Sequence, residues 1–160
     1  MCAIVDNNLA GLFFGRNVAP DLKPLLKWIA LQDGRLVVGG QLRRELESMV
    51  AAVNLMNEWR RSRKLRVIPD DLIDAECGGD WAVHVRSNDH QILALARVAG
   101  ARILATAEKT GAGNLSADFK DVRIISSPRG FVYTKAEHAT SLGHSGSCGL
   151  PKSGVWKSRR

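Results

Sequence analysis

Short apolar runs alternate with amphipathic helical patterns along nearly the whole chain, and this alternation limits the folds available. Strand-like runs fall at residues 2–5, Arg35–Val38, Leu65–Ile68, Arg102–Thr106 and Val122–Ile125, after which Pro128-Arg129-Gly130 turns the chain into Phe131-Val132-Tyr133. Between them lie helical patterns near Leu9–Phe14, at Asp21–Ile29, at Gln41–Arg61 and at Asp89–Ala99. Leu22, Leu25, Leu26 and Ile29 repeat at i, i+3, i+4 and i+7. Leu42, Leu46, Met49, Val50, Val53 and Met56 likewise form one long stripe. Residues 70–80 read as an acidic loop, and Trp81–Val85 fits either a strand or an extended connection. Strands alternating with helices predict an α/β fold, a mostly parallel sheet covered by helices on both faces. The length of 160 residues suits one domain with a real core. From about residue 139 the sequence turns Gly/Ser-rich, so the division expected is a folded domain over 1–138 and a basic flexible tail over 139–160.

The formal charge of +7 is unevenly spread. Residues 135–160 hold five Lys/Arg against one Glu, which leaves the body at +3. Within the body, Arg60, Arg61, Arg63, Lys64 and Arg66 make a basic knot, and Asp70, Asp71, Asp74, Glu76 and Asp80 an acidic one. Basic clusters attract polyanions and release counterions on binding nucleic acid. The alternative is a solvated helix end beside an acidic loop. No basic segment precedes an apolar one at the N-terminus, so no secretory signal is expected. Arg97 and Arg102 interrupt the longest apolar stretch, Ile92–Ala107, and no membrane span is expected. Three widely separated cysteines, Cys2, Cys77 and Cys148, argue against a disulfide framework and for a reducing, cytoplasmic setting.

Four acids stand out because each borders an apolar element: Asp6, Glu45, Asp89 and Glu108. Asp6 ends the run Ala3-Ile4-Val5, and Glu108 follows Ile103-Leu104-Ala105-Thr106. Glu45 falls at the margin of the long apolar stripe at 100° per residue, where an acid is costly to desolvate without a cation or donor. Asp89 shares a helix face with Ile92, Leu93 and Ala96, with Ser87 or Asn88 as the cap before it. Each also has an ordinary explanation: a helix cap, a partner of the helix dipole, or an ion pair with a nearby arginine. If the runs are adjacent parallel strands, their carboxyl ends share one edge of the sheet, where open α/β folds bind ligands. Carboxylates gathered there need a cation, and hard oxygen ligands suit Mg²⁺ or Mn²⁺.

At this point the chain resembles the PIN-domain ribonucleases. The likeness is carried by Ile4-Val5-Asp6-Asn7-Asn8, by Glu45, by Asn88-Asp89-His90-Gln91-Ile92-Leu93-Ala94-Leu95-Ala96 with Gly100-Ala101, and by Ile103-Leu104-Ala105-Thr106-Ala107-Glu108 leading to Leu115 and Asp118-Phe119. It spans roughly residues 2–134. The resemblance implies a three-layer α/β/α sandwich and an acidic Mg²⁺ or Mn²⁺ site that hydrolyses RNA. Carried over by position, Asp6, Glu45 and Asp89 match the three principal acids, and Thr106 matches a Ser/Thr that orders the site. Glu108 stands where an Asp is usual, which puts a second metal position in question and leaves Asp118 as a substitute. Arg43, Arg44 and the 60–66 cluster are candidates for gripping flanking phosphates. Small members of the family are toxins held by an antitoxin and assembled as dimers, so a protein antitoxin and a homodimer are further expected partners.

Other chemistries fit less well. Cys77, His84 and His90 are widely spaced for zinc, and His138, His144 and Cys148 lie in or near the Gly-rich end. Gly11 and Gly15 belong to no phosphate-binding loop. Trp28, Trp59, Trp81 and Trp156 are too sparse to indicate base stacking. A phosphoacceptor domain needs an acidic pair after the first strand, but Asp6 is followed by Asn7-Asn8. The remaining alternative is the same fold with an impaired site, binding RNA or protein without cleavage.

Overall fold

The computed structural model describes residues 2–107, 114–125 and 130–142. Five parallel strands form one sheet: β1 (Cys2–Val5), β2 (Arg35–Gly39), β3 (Leu65–Ile68), β4 (Ile103–Ala105) and β5 (Phe131–Tyr133), in the order β3-β2-β1-β4-β5. The three central strands are continuous apolar runs because helices cover both their faces. Every residue of β1 and β4 is buried, while β3 at the edge is mostly half-exposed.

The helices are α1 (Ala10–Phe13), α2 (Lys23–Leu31), α3 (Gly40–Glu47), α4 (Val50–Arg61), α5 (Asp70–Cys77), α6 (His90–Ala99) and α7 (Asn114–Lys120). Right-handed crossovers place α1–α4 on one face of the sheet and α5–α7 on the other, giving the three-layer α/β/α arrangement. Packing agrees. Phe13 of α1 meets Trp59 of α4 edge-on at 6.1 Å. On the other face Arg97 of α6 lies 5.1 Å over the Trp81 ring, pairs with Glu76 of α5 at 2.7 Å, and donates to the Ile124 carbonyl. Ile92 to Ala96 of α6 are all buried, since sheet, α3 and α5 surround that helix.

Several local expectations are corrected. The long helix expected at Gln41–Arg61 is two helices. Ser48 Oγ donates to the Glu45 carbonyl at 2.6 Å and Met49 turns extended (φ −109°, ψ 119°), a side-chain bond that competes with helix continuation. The acidic stretch from Asp70 is a helix, not a loop. Pro69 occupies its N-cap, Asp70 and Asp71 sit in its first turn where the dipole favours them, and Leu72 and Ile73 bury its inner side. Asp80–His84 is a 3-10 helix anchored by Trp81 Nε1 donating to Glu76 O at 3.0 Å. Val122–Ile125 is a turn outside the sheet, because Asp121 accepts from the Arg123 backbone and side chain and draws the chain into a tight bend.

After β5 the chain folds back on α2. Tyr133 donates its hydroxyl proton to Asp21 O, and Asp21 Oδ1 accepts from Ala136 N at 3.1 Å. The packed chain therefore runs past residue 138 to the buried Leu142, and the rest of the expected tail lies outside the described residues. Cys77 is a free thiol, and Cys2 is wholly buried at the start of β1. Among the described residues no helix is long and apolar enough to cross a membrane.

Candidate functional site

The direction of chain progression across the sheet reverses between β1 and β4. From β1 the chain moves outward through β2 to β3, then returns to β4 on the other side of β1. Helices on opposite faces leave a crevice outside the carboxyl ends of such a strand pair, the usual ligand position in open α/β sheets. Asp6 and Thr106 are the first residues beyond these two ends. Their backbones are registered by Asp6 N donating to Ala105 O at 2.8 Å.

The side chains are registered too. Thr106, 2% exposed, donates its hydroxyl to Asp6 Oδ2 at 3.0 Å. Asn8 closes the arrangement, donating from Nδ2 to Thr106 Oγ1 at 3.4 Å and accepting from Ala107 N at 3.1 Å. Asp6 occupies the N-cap of the 3-10 turn Asn7–Leu9, yet its carboxylate makes no capping bond. The innocent role of an acid at this point is therefore not the one it takes.

Glu45 reaches this edge through a glycine junction. Gly39 and Gly40 end β2 and begin α3. Gly40 has φ +56°, and a Cβ on it would lie 2.5 Å from Gln91 Oε1. A Cβ on Gly39 would meet Ile68 O at 2.9 Å. Two residues without side chains thus let α3 start hard against α6, where Gln91 Oε1 accepts from Gln41 N at 3.3 Å. The helix α3 also packs on the turn after β1. Glu45 is half-buried, and among the described residues its carboxylate forms no ion pair or hydrogen bond. Its arginine neighbours are engaged elsewhere: Arg43 with Glu47 at 2.6 Å and Arg44 with Asp70 at 3.1 Å. An ion pair does not explain this acid.

Asp89 is itself the N-cap of α6, correcting the expectation that Ser87 or Asn88 caps the helix. Its carboxylate makes no capping bond, and the residue is exposed instead of lying on the buried stripe. The loop before it is held by Asp118. This carboxylate, fully buried, accepts from Arg86 N at 3.0 Å and Ser87 N at 2.9 Å, with the Arg86 guanidinium 3.9 Å away. Asp118 is thereby committed to backbone amides and is not a substitute for Glu108, which lies outside the described residues.

The structure thus brings Asp6 and Thr106 into contact and sets α3 against the turn after β1, with the start of α6 against the start of α3. Among the described residues no three His, Cys, Asp or Glu side chains form a metal-holding group. A divalent cation of the Mg²⁺ type does not require one, since it keeps several waters and takes one or two carboxylates plus substrate phosphates. Asp6, with its carboxylate oriented by Thr106, and the hard oxygens of Glu45 and Asp89 suit that mode of binding. The arginines expected to flank the site do not. Arg43 and Arg44 are paired, and the 60–66 cluster lies where the chain enters β3, at the amino edge of the sheet. Asn8 and Gln91 lie within the motifs that carry the resemblance, which assigns neither a role. The signal available was a polar side chain directly after a buried strand and another in the first turn of a buried helix.

No family model, curated protein or solved structure matches the chain.

Proposed function

We propose that this protein is a divalent-metal-dependent endoribonuclease whose active site lies in the crevice beyond β1 and β4. The observation that carries the reading is the buried Thr106 hydroxyl holding Asp6 Oδ2 across those two strand ends. Such an outer hydrogen bond fixes the orientation of a ligating carboxylate. The half-buried Glu45, with no ionic partner among the described residues, supports the same reading, as does the place of Asp89 at the start of α6.

In this reading Asp6 and Asp89 hold Mg²⁺ or Mn²⁺, and Glu45 accepts a proton from, or orients, the attacking water. Glu108 supplies a further carboxylate. The bound cation supplies charge neutralisation at the scissile phosphate and a lowered pKa for its water. Thr106 and Asn8 keep Asp6 in one rotamer, so orientation is set before RNA arrives. Asp6→Asn removes the charge at nearly constant shape, and cleavage of RNA in Mg²⁺ or Mn²⁺ should vanish with the melting temperature preserved. Mn²⁺-dependent cleavage persisting in that variant refutes the assignment.

A second reading is the same fold with an impaired site, binding RNA or a protein partner without cutting, and Glu108, standing where the resembled family usually has Asp, is the feature that favours it. Cleavage of an unstructured RNA in Mn²⁺, abolished by EDTA, separates the two.

A further inference from the structure

The helix α4 ends in a Schellman motif. Lys64 N donates to Trp59 O at 2.7 Å and Arg63 N to Arg60 O at 3.3 Å. The motif needs a left-handed residue at Arg63, a place that glycine ordinarily fills. Arg63 has φ 62°, the only positive φ on a non-glycine among the described residues. Strain kept in a side-chain-bearing residue points to use of that side chain.

Its surroundings have the same sign. Arg60, Arg61 and Arg63 are exposed at the helix end, and the register Leu36↔Leu65 and Val37↔Arg66 puts Arg35, Lys64 and Arg66 on one face of neighbouring strands. Burial, and then the like charge of Arg35, lower the pKa of Arg66. Five arginines elsewhere, Arg43, Arg44, Arg86, Arg97 and Arg123, are each paired with an acid. None of Arg35, Arg60, Arg61, Arg63 or Arg66 is paired among the described residues, although Asp33 and Glu58 are near in sequence. The exposed run Arg60-Arg61-Ser62-Arg63 holds no apolar side chain, whereas the core of a protein interface is apolar and depleted of charge.

We propose that Arg35, Arg60, Arg61, Arg63, Lys64 and Arg66 form a docking surface for the phosphate backbone of RNA at the sheet edge opposite the acids. The identity of the polyanion rests on the ribonuclease reading. The surface itself is separate from the chemistry: Arg35 and Gly39 stand at opposite ends of β2, about 13 Å apart at ~3.3 Å per residue. An RNA engaging both edges must therefore extend over several nucleotides.

The test is binding of a labelled single-stranded 30-mer RNA to the full chain in EDTA, from 50 to 200 mM salt, so that cleavage plays no part. For a single strand each lost phosphate contact lowers the slope of log affinity against log salt by about 0.7. Arg63→Gly should lower the slope by about that amount and weaken binding several-fold. Because it relieves the left-handed strain, it should also raise the melting temperature by about 2–4 °C. The fourfold variant Arg60→Gln, Arg61→Gln, Arg63→Gly, Arg66→Gln should lower the slope by about 3. An unchanged slope in the fourfold variant overturns the proposal. So does polyglutamate displacing the RNA as effectively as unlabelled RNA of equal charge, which would assign the surface to an acidic protein. Failure of cleavage with these binding changes intact would remove the ribonuclease reading alone.

Discussion

Replacing Thr106 by valine tests the site at its most defined contact. Valine keeps the β-branched shape in a position only 2% exposed, so no cavity opens, and it removes one hydroxyl. That hydroxyl donates to a carboxylate oxygen at 3.0 Å, and hydrogen bonds to charged groups contribute about 1.5–3 kcal/mol. Loss of an outer partner of a metal ligand typically costs 10–100-fold in metal affinity, about 1.4–2.8 kcal/mol. The two ranges coincide, so nearly the whole worth of the bond should appear as weaker metal binding. Stability should suffer less, because Asp6 is half-exposed and water replaces the hydroxyl there. A drop of no more than about 4 °C is expected. The assay is initial cleavage rate against Mn²⁺ concentration for wild type, Thr106→Val and Thr106→Ser. The valine variant should need 10–100-fold more Mn²⁺ for half-maximal rate and approach the wild-type rate at saturation, and serine should restore the wild-type midpoint. A valine midpoint within about twofold of wild type would refute the claim that Thr106 orients a metal ligand.

Three further changes probe the scaffold. Asp118→Ala strips two backbone amides of their buried acceptor and should cost about 3–5 kcal/mol, read as a lower urea midpoint with an unchanged slope. Gly40→Ala forces a left-handed alanine against Gln91 and should cost about 1–2 kcal/mol, seen as a melting temperature lower by roughly 2–8 °C. Hydrogen bonds from the Arg123 side chain and backbone hold the Asp121 carboxyl below the usual carboxylate range. A depressed pKa contributes stability above the unfolded value of about 3.9 and loses it as pH falls below that, so the melting difference between wild type and Asp121→Asn should be full at pH 7 and shrink below pH 4.

The fold was legible because the strongest signals are local and repeated. Four short strand-like runs became β1 to β4 at nearly the expected residues, and Gln41 onward was helical as its stripe required. The errors occur where a side-chain hydrogen bond outweighs hydrophobic period. Ser48 breaks a helix whose apolar pattern continues through it, and Asp121 bends Val122–Ile125, whose composition reads as strand. The helix at Asp70 was hidden by its charge, although Asp70 and Asp71 are well placed in a first turn. Of the site, the position of Asp6 and Thr106 followed from their place after buried strands. That β4 lies directly beside β1 did not, because strand order depends on which crossovers pack and no single segment encodes it. Asp118 shows the opposite limit. Its spacing fits a ligand, while its burial and two amide donors make it a support for the loop before α6.

The two edges of the sheet now have a physical relation. In the proposed reading, carboxylates held beyond β1 and β4 repel a phosphate backbone until a cation joins them, so that edge alone would attract no polyanion. The arginines at the opposite edge, unpaired among the described residues, would supply the attraction from the far end of a strand about 13 Å long, more than the Debye length of about 8 Å at physiological salt. At that range the arginines neither neutralise the acids nor lower the affinity of the site for its cation. Placed closer, they would pair with Asp6 or Glu45 as Arg44 does with Asp70, and the carboxylates would be consumed as structural partners. In that reading, separation across a strand length would let one small domain keep both an acidic site and a cationic surface.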